Sequence, residues 1–367
     1  MDTVNKKYDI ELTVLSPLAI GAGAERDWVK GMDFVVKDNN IYLLNMKKMI
    51  EYGINPAELT TFFASKNHRG LLRKVERFLG EVSDRIMSLP ADSNNDIKTF
   101  IKNELSGKPI IPGSSLKGAL RSVILKYLLR GERPERLNEK NYFGDANEGD
   151  ELMRFIKISD AEFEDTALVN TKIFNLHKVG NNWEGGWKHA FRGRPGSPAT
   201  DNHFNPIGFN TIYESLLPSQ RSRCTIMLSE LGFNKISTHS HLEEKEELFN
   251  IHELFNTVNQ HTYDYISKEI DFFNNYSQAE NSNKIISQLN RISNEIPDHD
   301  ELCDSCVLKM SAGSGFHSIT GDWQYEDYAI NQVGEQKFKS RKIAIYRERF
   351  YPMGFVKLFI RRQGQIQ

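Results

Sequence analysis

From Tyr8 to Val14 apolar and polar residues alternate, Ile10, Leu12 and Val14 against Asp9, Glu11 and Thr13, until Pro17 ends the run. A period of two is the period of a pleated strand, so the apolar side chains share one buried face and the polar ones the other. Runs of the same kind return along the chain. "DFVVKDNNIYLL" gives two short strands around Asp38-Asn39-Asn40, residues that tolerate left-handed backbone angles, and so predicts a hairpin. "MRFIKISDAEF", "ALVNTKIFNLHKV", "IGFNTIYESLL" and "RSRCTIMLSEL" follow in the middle, with "RKIAIYRERF" and "GFVKLFI" near the end.

Two blocks between these runs change to helical spacing. Phe62, Leu71, Leu72, Val75, Phe78 and Leu79 recur that way in a block at about 47–108, and Leu248, Ile251, Leu254, Phe255 and Val258 in another at about 242–296. Pro109 and Pro112 bracket a short extended segment. The glycines, prolines and aromatics from Gly180 to Pro206 read as one long loop. Strands, helix, strands, helices and strands again describe an α+β chain built on mostly antiparallel sheets. Two ferredoxin-like (RRM-like) antiparallel sheets with a helical insertion fit this order. Residues 1–205 form the expected N-terminal unit with the insertion at about 47–108, and 206–367 the C-terminal unit with the helical block at about 242–296.

A chain of 367 residues with 39% apolar content buries a sizeable core. Its net charge of -2 argues against a whole surface acting as a generic polyanion binder, because that mode needs a basic field. Any nucleic-acid contact is therefore local, and basic clusters exist for it. They are Lys66 with His68, Arg69, Arg73, Lys74 and Arg77; Lys117 with Arg121, Lys126 and Arg130; Arg192 with Arg194; Arg221 with Arg223; and Lys337 with Lys339, Arg341 and Lys342. Each also reads as a solvated face. The N-terminus has no apolar core behind a basic lead, and no apolar run approaches the roughly 20 residues of a spanning helix. Three cysteines, Cys224, Cys303 and Cys306, make no disulfide framework. The expectation is a cytoplasmic protein with no membrane partner.

The stretch "IIPGSSLKGALRSVILKYLL", Ile110 to Leu129, predicts a helix with Ser114 or Ser115 as its N-cap and Leu116, Leu120, Val123, Ile124 and Tyr127 as its apolar stripe. Lys117 and Arg121, four apart, share another face. A helix N-terminus offers unpaired N–H groups and partial positive charge, so two cations one turn further on would close around a phosphate. Gly113 and Gly118 would let a nucleic-acid backbone come near. The same residues also read as a capped helix packed on a sheet. The segment is not a nucleotide-binding P-loop, since Lys117 is followed by Gly118 and not by Ser or Thr. A second glycine-rich stretch, "SAGSGFHSITG" from Ser311 to Gly321, allows close backbone approach, with Phe316 and His317 able to stack on or hydrogen-bond a base or sugar.

"IPGSSLKGALRSVIL" resembles the signature of the RAMP superfamily, the repeat-associated proteins of CRISPR systems, and "GSGF" and "PMGFVKLFI" look like its later motifs. The opening "LTVLSPLAIGAG" with "MDFVVKDNNIYLLNMKKMI" resembles the branch formed by the fifth subunits of type III-A (Csm) effector complexes. The resemblance implies a non-catalytic crRNA-binding subunit of an antiviral ribonucleoprotein, with neither cofactor nor metal. It would cap the crRNA 3′ end beside the repeated backbone subunit, serve crRNA maturation and be associated with host nucleases. Carried over by motif, it implies RNA-backbone contacts at Ser114, Ser115, Lys117, Gly118 and Arg121, with Gly313, Gly315, Phe316 and His317 in the glycine-rich stretch.

The alternative is a RAMP endoribonuclease that processes crRNA or cuts target RNA; another scaffold position in a related type III complex is a third reading. Related backbone subunits cut with an early acidic residue, and Asp27 and Asp33 lie in the corresponding region, although Asp33 also reads as a strand-start residue. Metal-free cleavage would use a histidine base, and His177, His189, His203 and His317 are available without telling spacing. Cys303 and Cys306 form a lone CxxC after His299. Structural zinc takes four ligands and no second pair exists, so His239 and His241 would have to complete a site; buried or surface thiols fit better.

Overall fold

In the computed structural model the described residues are 5–91, 96–129, 137–189, 200–207, 209–229, 233, 245–298, 302–310 and 340–361. The alternating run is strand β1 (Lys6–Val14), with Ile10, Leu12 and Val14 fully buried. The predicted hairpin joins β2 (Phe34–Lys37) to β3 (Asn40–Leu44) through Asp38 and Asn39, both at positive φ as that turn demands. Three short helices follow, α1 (Met46–Glu51), α2 (Pro56–Ala64) and α3 (His68–Val75), each with an asparagine side chain capping its N-terminus. The expected helical insertion ends here. The chain returns as β4 (Ser83–Ser88), which pairs with β3, so much of 47–108 is not helical.

After β5 (Ile110–Ile111) come α4 (Gly113–Leu128) and the single-turn α5 (Lys140–Phe143), then β6 (Ile156–Ile158), β7 (Ala161–Glu162) and β8 (Ala167–Val179). The stretch read as a long loop holds two strands, β9 (Asn182–Lys188) and β10 (Thr200–Asp201). Two of its glycines are packing sites: a Cβ at Gly185 would lie 2.6 Å from the Phe174 ring, and one at Gly186 would lie 2.5 Å from the Asp201 carbonyl oxygen. Then follow β11 (Asn210–Ser215), β12 (Arg221–Leu228), α6 (Ile251–Asn275), α7 (Ser282–Ser293), β13 (Ser305–Lys309), β14 (Ser340–Tyr346), β15 (Arg349–Pro352) and β16 (Phe355–Ile360).

The strands form antiparallel sheets. A five-stranded sheet runs β13-β16-β1-β12-β6; a second runs β10-β9-β8-β14-β15 with β11 on β8; a third is β2-β3-β4; and β5 pairs β7. Both large sheets draw strands from either side of residue 205, so the segments 1–205 and 206–367 interleave.

The first sheet packs its buried face on α4 and the first half of α6, joining Ile10, Leu12 and Val14 to Leu116, Leu120, Val123, Leu254 and Phe255. The second half of α6 and α7 cover the second sheet, where Phe174, Trp187, Phe273 and Phe350 meet. One long helix thus serves both cores. The insertion has a core of its own, including Val35, Met49, Leu59, Leu71, Val75 and Val82. It is tied to the second sheet through the buried Glu214 of β11, which accepts from Arg85 Nη1 (2.6 Å), the Thr166 hydroxyl (2.6 Å) and the Phe100 amide (3.0 Å) and lies 3.0 Å from Lys102 Nζ. No helix among the described residues is long and apolar enough to cross a membrane.

Candidate nucleic-acid interface

Leu116, Leu120, Val123 and Ile124 hold α4 against the first sheet, as their spacing predicts. The cap differs from the expectation. Pro112 is the N-cap, the helix starts at Gly113, and Ser114 and Ser115 lie within the first turn with no side-chain cap. The Gly113 amide donates instead to Asp160 Oδ1 at 2.7 Å, from the loop after β6. The helix end predicted to be open to an external anion therefore already meets a carboxylate of this chain.

Gly113 and Gly118 differ in kind. A Cβ at Gly113 would lie 2.1 Å from the Ile158 carbonyl oxygen, so this glycine is fixed by contact between α4 and β6. At Gly118 a Cβ would meet nothing within 4 Å, and the residue is exposed. No packing inside the protein requires a glycine there. Ser114, Lys117, Gly118 and Arg121 follow one another at steps of three, one and three, which aligns them along one side of the helix. Lys117 makes no ion pair among the described residues. Arg121 is held, with Nη2 2.9 Å from Glu139 Oε2 and its guanidinium 3.9 Å from the centre of the Phe143 ring. Only one of the two predicted cations is unengaged, and the segment that engages the other, around α5, carried no signal linking it to Arg121.

Gly313, Gly315, Phe316 and His317 lie outside the described residues. The strands on either side of 311–339 end in a buried charged group. Arg341 Nε donates to both Glu269 carboxylate oxygens, at 2.8 and 3.0 Å, and Lys309 Nζ sits 5.2 Å from the centre of the Tyr265 ring. Burial pushes the Lys309 pKa down to about 8 despite the nearby Glu269.

Both early acids are committed to structure. Asp33 Oδ2 accepts from the Val29 amide at 2.7 Å, and Asp27 bonds Lys98 and the Thr99 amide. His177 and Glu184 lie 3.9 Å apart, His189 and Asp201 3.7 Å, and His203 and Glu280 2.9 Å, three separate pairings along the second sheet. Cys306 is fully buried, and burial with the adjacent Cys303 pushes its thiol well up, which disfavours the thiolate a metal requires. Among the described residues no three His, Cys, Asp or Glu converge as metal ligands; His239, His241 and His299 lie outside them. A groove of about 1000 Å³ lies away from α4, between β4, the start of β8 and the β14–β15 turn.

Strand order, the glycine-bearing helix and the sequence agree on the class. Residues 11–302 match the RAMP superfamily, and the chain belongs to it. Within that class it resembles Csm5 proteins. It is 24% identical over 197 residues to the CRISPR system Cms protein Csm5 of Streptococcus thermophilus, covering 45% of this chain and 54% of that protein. The protein of the same name from Mycobacterium tuberculosis is 26% identical over 196 residues, covering 42% and 50%. The match thus spans about half the length of these relatives. Among solved structures, a chain of a Csm–crRNA–target RNA ternary complex from a type III-A CRISPR-Cas system superimposes with TM-score 0.66 and 18% identity, over 96% of this chain and all of that one. The crystal structure of T. onnurineus Csm5 gives TM-score 0.58 at 18% identity, over 94% and 99%.

Proposed function

We propose that the protein is a non-catalytic crRNA-binding subunit of a type III-A Csm ribonucleoprotein, capping the crRNA 3′ end and serving crRNA maturation in antiviral defence. Its partners are crRNA and other Csm subunits, above all the repeated backbone subunit, with host nucleases recruited to the complex in the cytoplasm. The observation that carries the reading is the bare side of α4. Gly118 leaves open space over an exposed backbone, flanked by Ser114 and by Lys117, which has no ion pair among the described residues. An RNA backbone lying along the helix would find a close approach, hydroxyls and a cation, contacts that hold register without reading sequence. The structural commitments of Asp27 and Asp33 support the absence of catalysis by either.

The topology supports a ferredoxin-like reading of the fold as well. Taken in chain order, β1, α4, β6, β12, α6 and β16 make a βαββαβ unit whose strands lie in the order β16-β1-β12-β6. That is the arrangement of a ferredoxin-like, RRM-like sheet. We propose the two units, 1–205 and 206–367, as sequence halves that each contribute strands to both large sheets.

The test is RNA binding and RNA integrity together, using labelled crRNA with and without Mg²⁺. Salt-sensitive binding of intact RNA, lost in Lys117→Ala/Arg121→Ala, is the expected result. Cleavage that disappears in Asp33→Ala or His317→Ala would replace this reading with a nuclease.

A further inference from the structure

We infer that the insertion carries a second single-stranded RNA surface: the exposed cation row Lys66, Arg69, Arg73 and Arg77, ending at the stacked aromatic pair Tyr52–Phe78. The inference rests on the RNA-binding reading above and adds a surface remote in sequence from α4.

Lys66, Arg69, Arg73 and Arg77 recur at steps of three, four and four, Lys66 just before the N-cap of α3, Arg69 and Arg73 within it and Arg77 in the turn after it, and all four are exposed. None makes an ion pair among the described residues. Other cations on the same module do: Lys74 lies 2.8 Å from Glu58, and Lys37 lies 3.0 Å from Glu76. The row is therefore selectively uncompensated.

It is also held at a local cost. Lys66 follows the C-cap of α2 at φ 47, and the Asn67 amide donates back to the Phe62 carbonyl, the helix-ending turn in which glycine is the usual residue. Arg69 sits in the first turn of α3, which has no acidic residue and where the helix dipole disfavours a cation. Arg69 and Arg73 are like charges one turn apart, a destabilising pair. An external anion offsets the two electrostatic costs, at Arg69 and between Arg69 and Arg73.

The linear array favours a linear polyanion. The step from Arg69 to Arg73 inside α3 rises by about 6 Å, and Lys66 and Arg77 extend the charge past either end of that helix. At its end, Tyr52 is 51% exposed and stacks on Phe78, with ring centres 5.3 Å apart and planes at 27°. A cation track with an exposed, already stacked ring is the pairing that binds single strands without sequence preference: charge follows the backbone and the ring takes a base. The insertion core fixes both parts, since Leu71 and Val75 of α3 and Met49 of α1 are buried in it.

The experiment uses the full chain and a fluorescein-labelled single-stranded RNA of mixed sequence, titrated across a range of salt. In Arg69→Ala/Arg73→Ala/Arg77→Ala, three lost phosphate contacts lower the slope of log K against log salt by about 2, roughly 0.7 per contact. Lys74→Ala, which removes a cation already paired to Glu58, leaves the slope unchanged. Tyr52→Ala weakens binding at least about five-fold and Tyr52→Phe does not. A triple variant that keeps the wild-type slope while Lys117→Ala/Arg121→Ala still loses binding overturns this inference alone. Loss of association with a partner subunit at unchanged RNA affinity overturns it in favour of a protein-docking face. An unaltered protein that binds no RNA sinks both readings. All four row residues are exposed and two of them sit at an electrostatic cost, so thermal unfolding of the triple variant at or above that of the wild type checks that the fold is intact.

Discussion

Replacing Gly118 with alanine should move stability and binding in opposite directions. Gly118 lies inside α4, is exposed, and has no atom within 4 Å of the position a Cβ would take. Alanine costs less backbone entropy than glycine in a helix interior, so Gly118→Ala should stabilise the free protein by about 1 kcal/mol. If an RNA backbone uses that open space, the added methyl is an overpacked contact in the complex. Such contacts cost about 1–3 kcal/mol, which corresponds to roughly five-fold to 150-fold weaker binding. Thermal unfolding and fluorescence anisotropy with the same labelled RNA read the two effects. Gly113→Ala is the internal contrast: its Cβ would collide with the Ile158 carbonyl, so it should lower stability. A Gly118→Ala protein that gains stability and binds RNA as the wild type does would refute the assignment of that helix side. General damage to the fold cannot imitate the expected result, because it lowers both quantities.

Two further outcomes follow from buried charge. Glu269→Ala should cost about 3–5 kcal/mol, because Arg341, only 4% exposed, loses the carboxylate it donates to; urea unfolding measures this, and a cost under 1 kcal/mol would show that Arg341 finds another partner. His68 accepts from the Val36 amide at 3.0 Å, and burial, then Lys30 and Arg69, lower its pKa. The unfolded chain therefore takes up a proton near pH 6.5 while the folded one does not, so stability should fall as pH drops through 6.5 towards the lower folded pKa. The protection factors of the β2 amides, corrected for the intrinsic exchange rate at each pH, should fall over that window and lose this dependence in His68→Gln; an equal dependence in the variant would exclude His68 as its source.

Legibility along the sequence followed the range of the interactions. "ALVNTKIFNLHKV" coincides with β8 residue for residue, because alternation and β-branched side chains are local. β9 was hidden by Gly185 and Gly186, which signal a loop in sequence and serve close packing in space. β13 is buried at all five residues, its polar Ser305 and Lys309 included, so its side-chain polarity does not report which face is covered. On α4 the apolar stripe and the Lys117–Arg121 spacing are local and legible. The cap was not, since Asp160 lies 47 residues away, and neither was the engagement of Arg121 by Glu139 and Phe143. A motif names residues that share a helix; which of them are already occupied depends on segments that only the fold brings near.

The place of β1 in its sheet bears on how the protein is made. It pairs on one side with β12 and on the other with β16, near opposite ends of the sequence. During synthesis β1 must wait for β16, carrying an open edge and the apolar face of Ile10, Leu12 and Val14. Closing so distant a pair makes assembly slow and leaves the waiting chain prone to aggregate. A ribosome stalled before residue 355 would release a polypeptide with most of its elements but a sheet missing the strand that links β13 to β1. Closure of the five-stranded sheet therefore waits until β16 has been made, whatever the state of the elements before it.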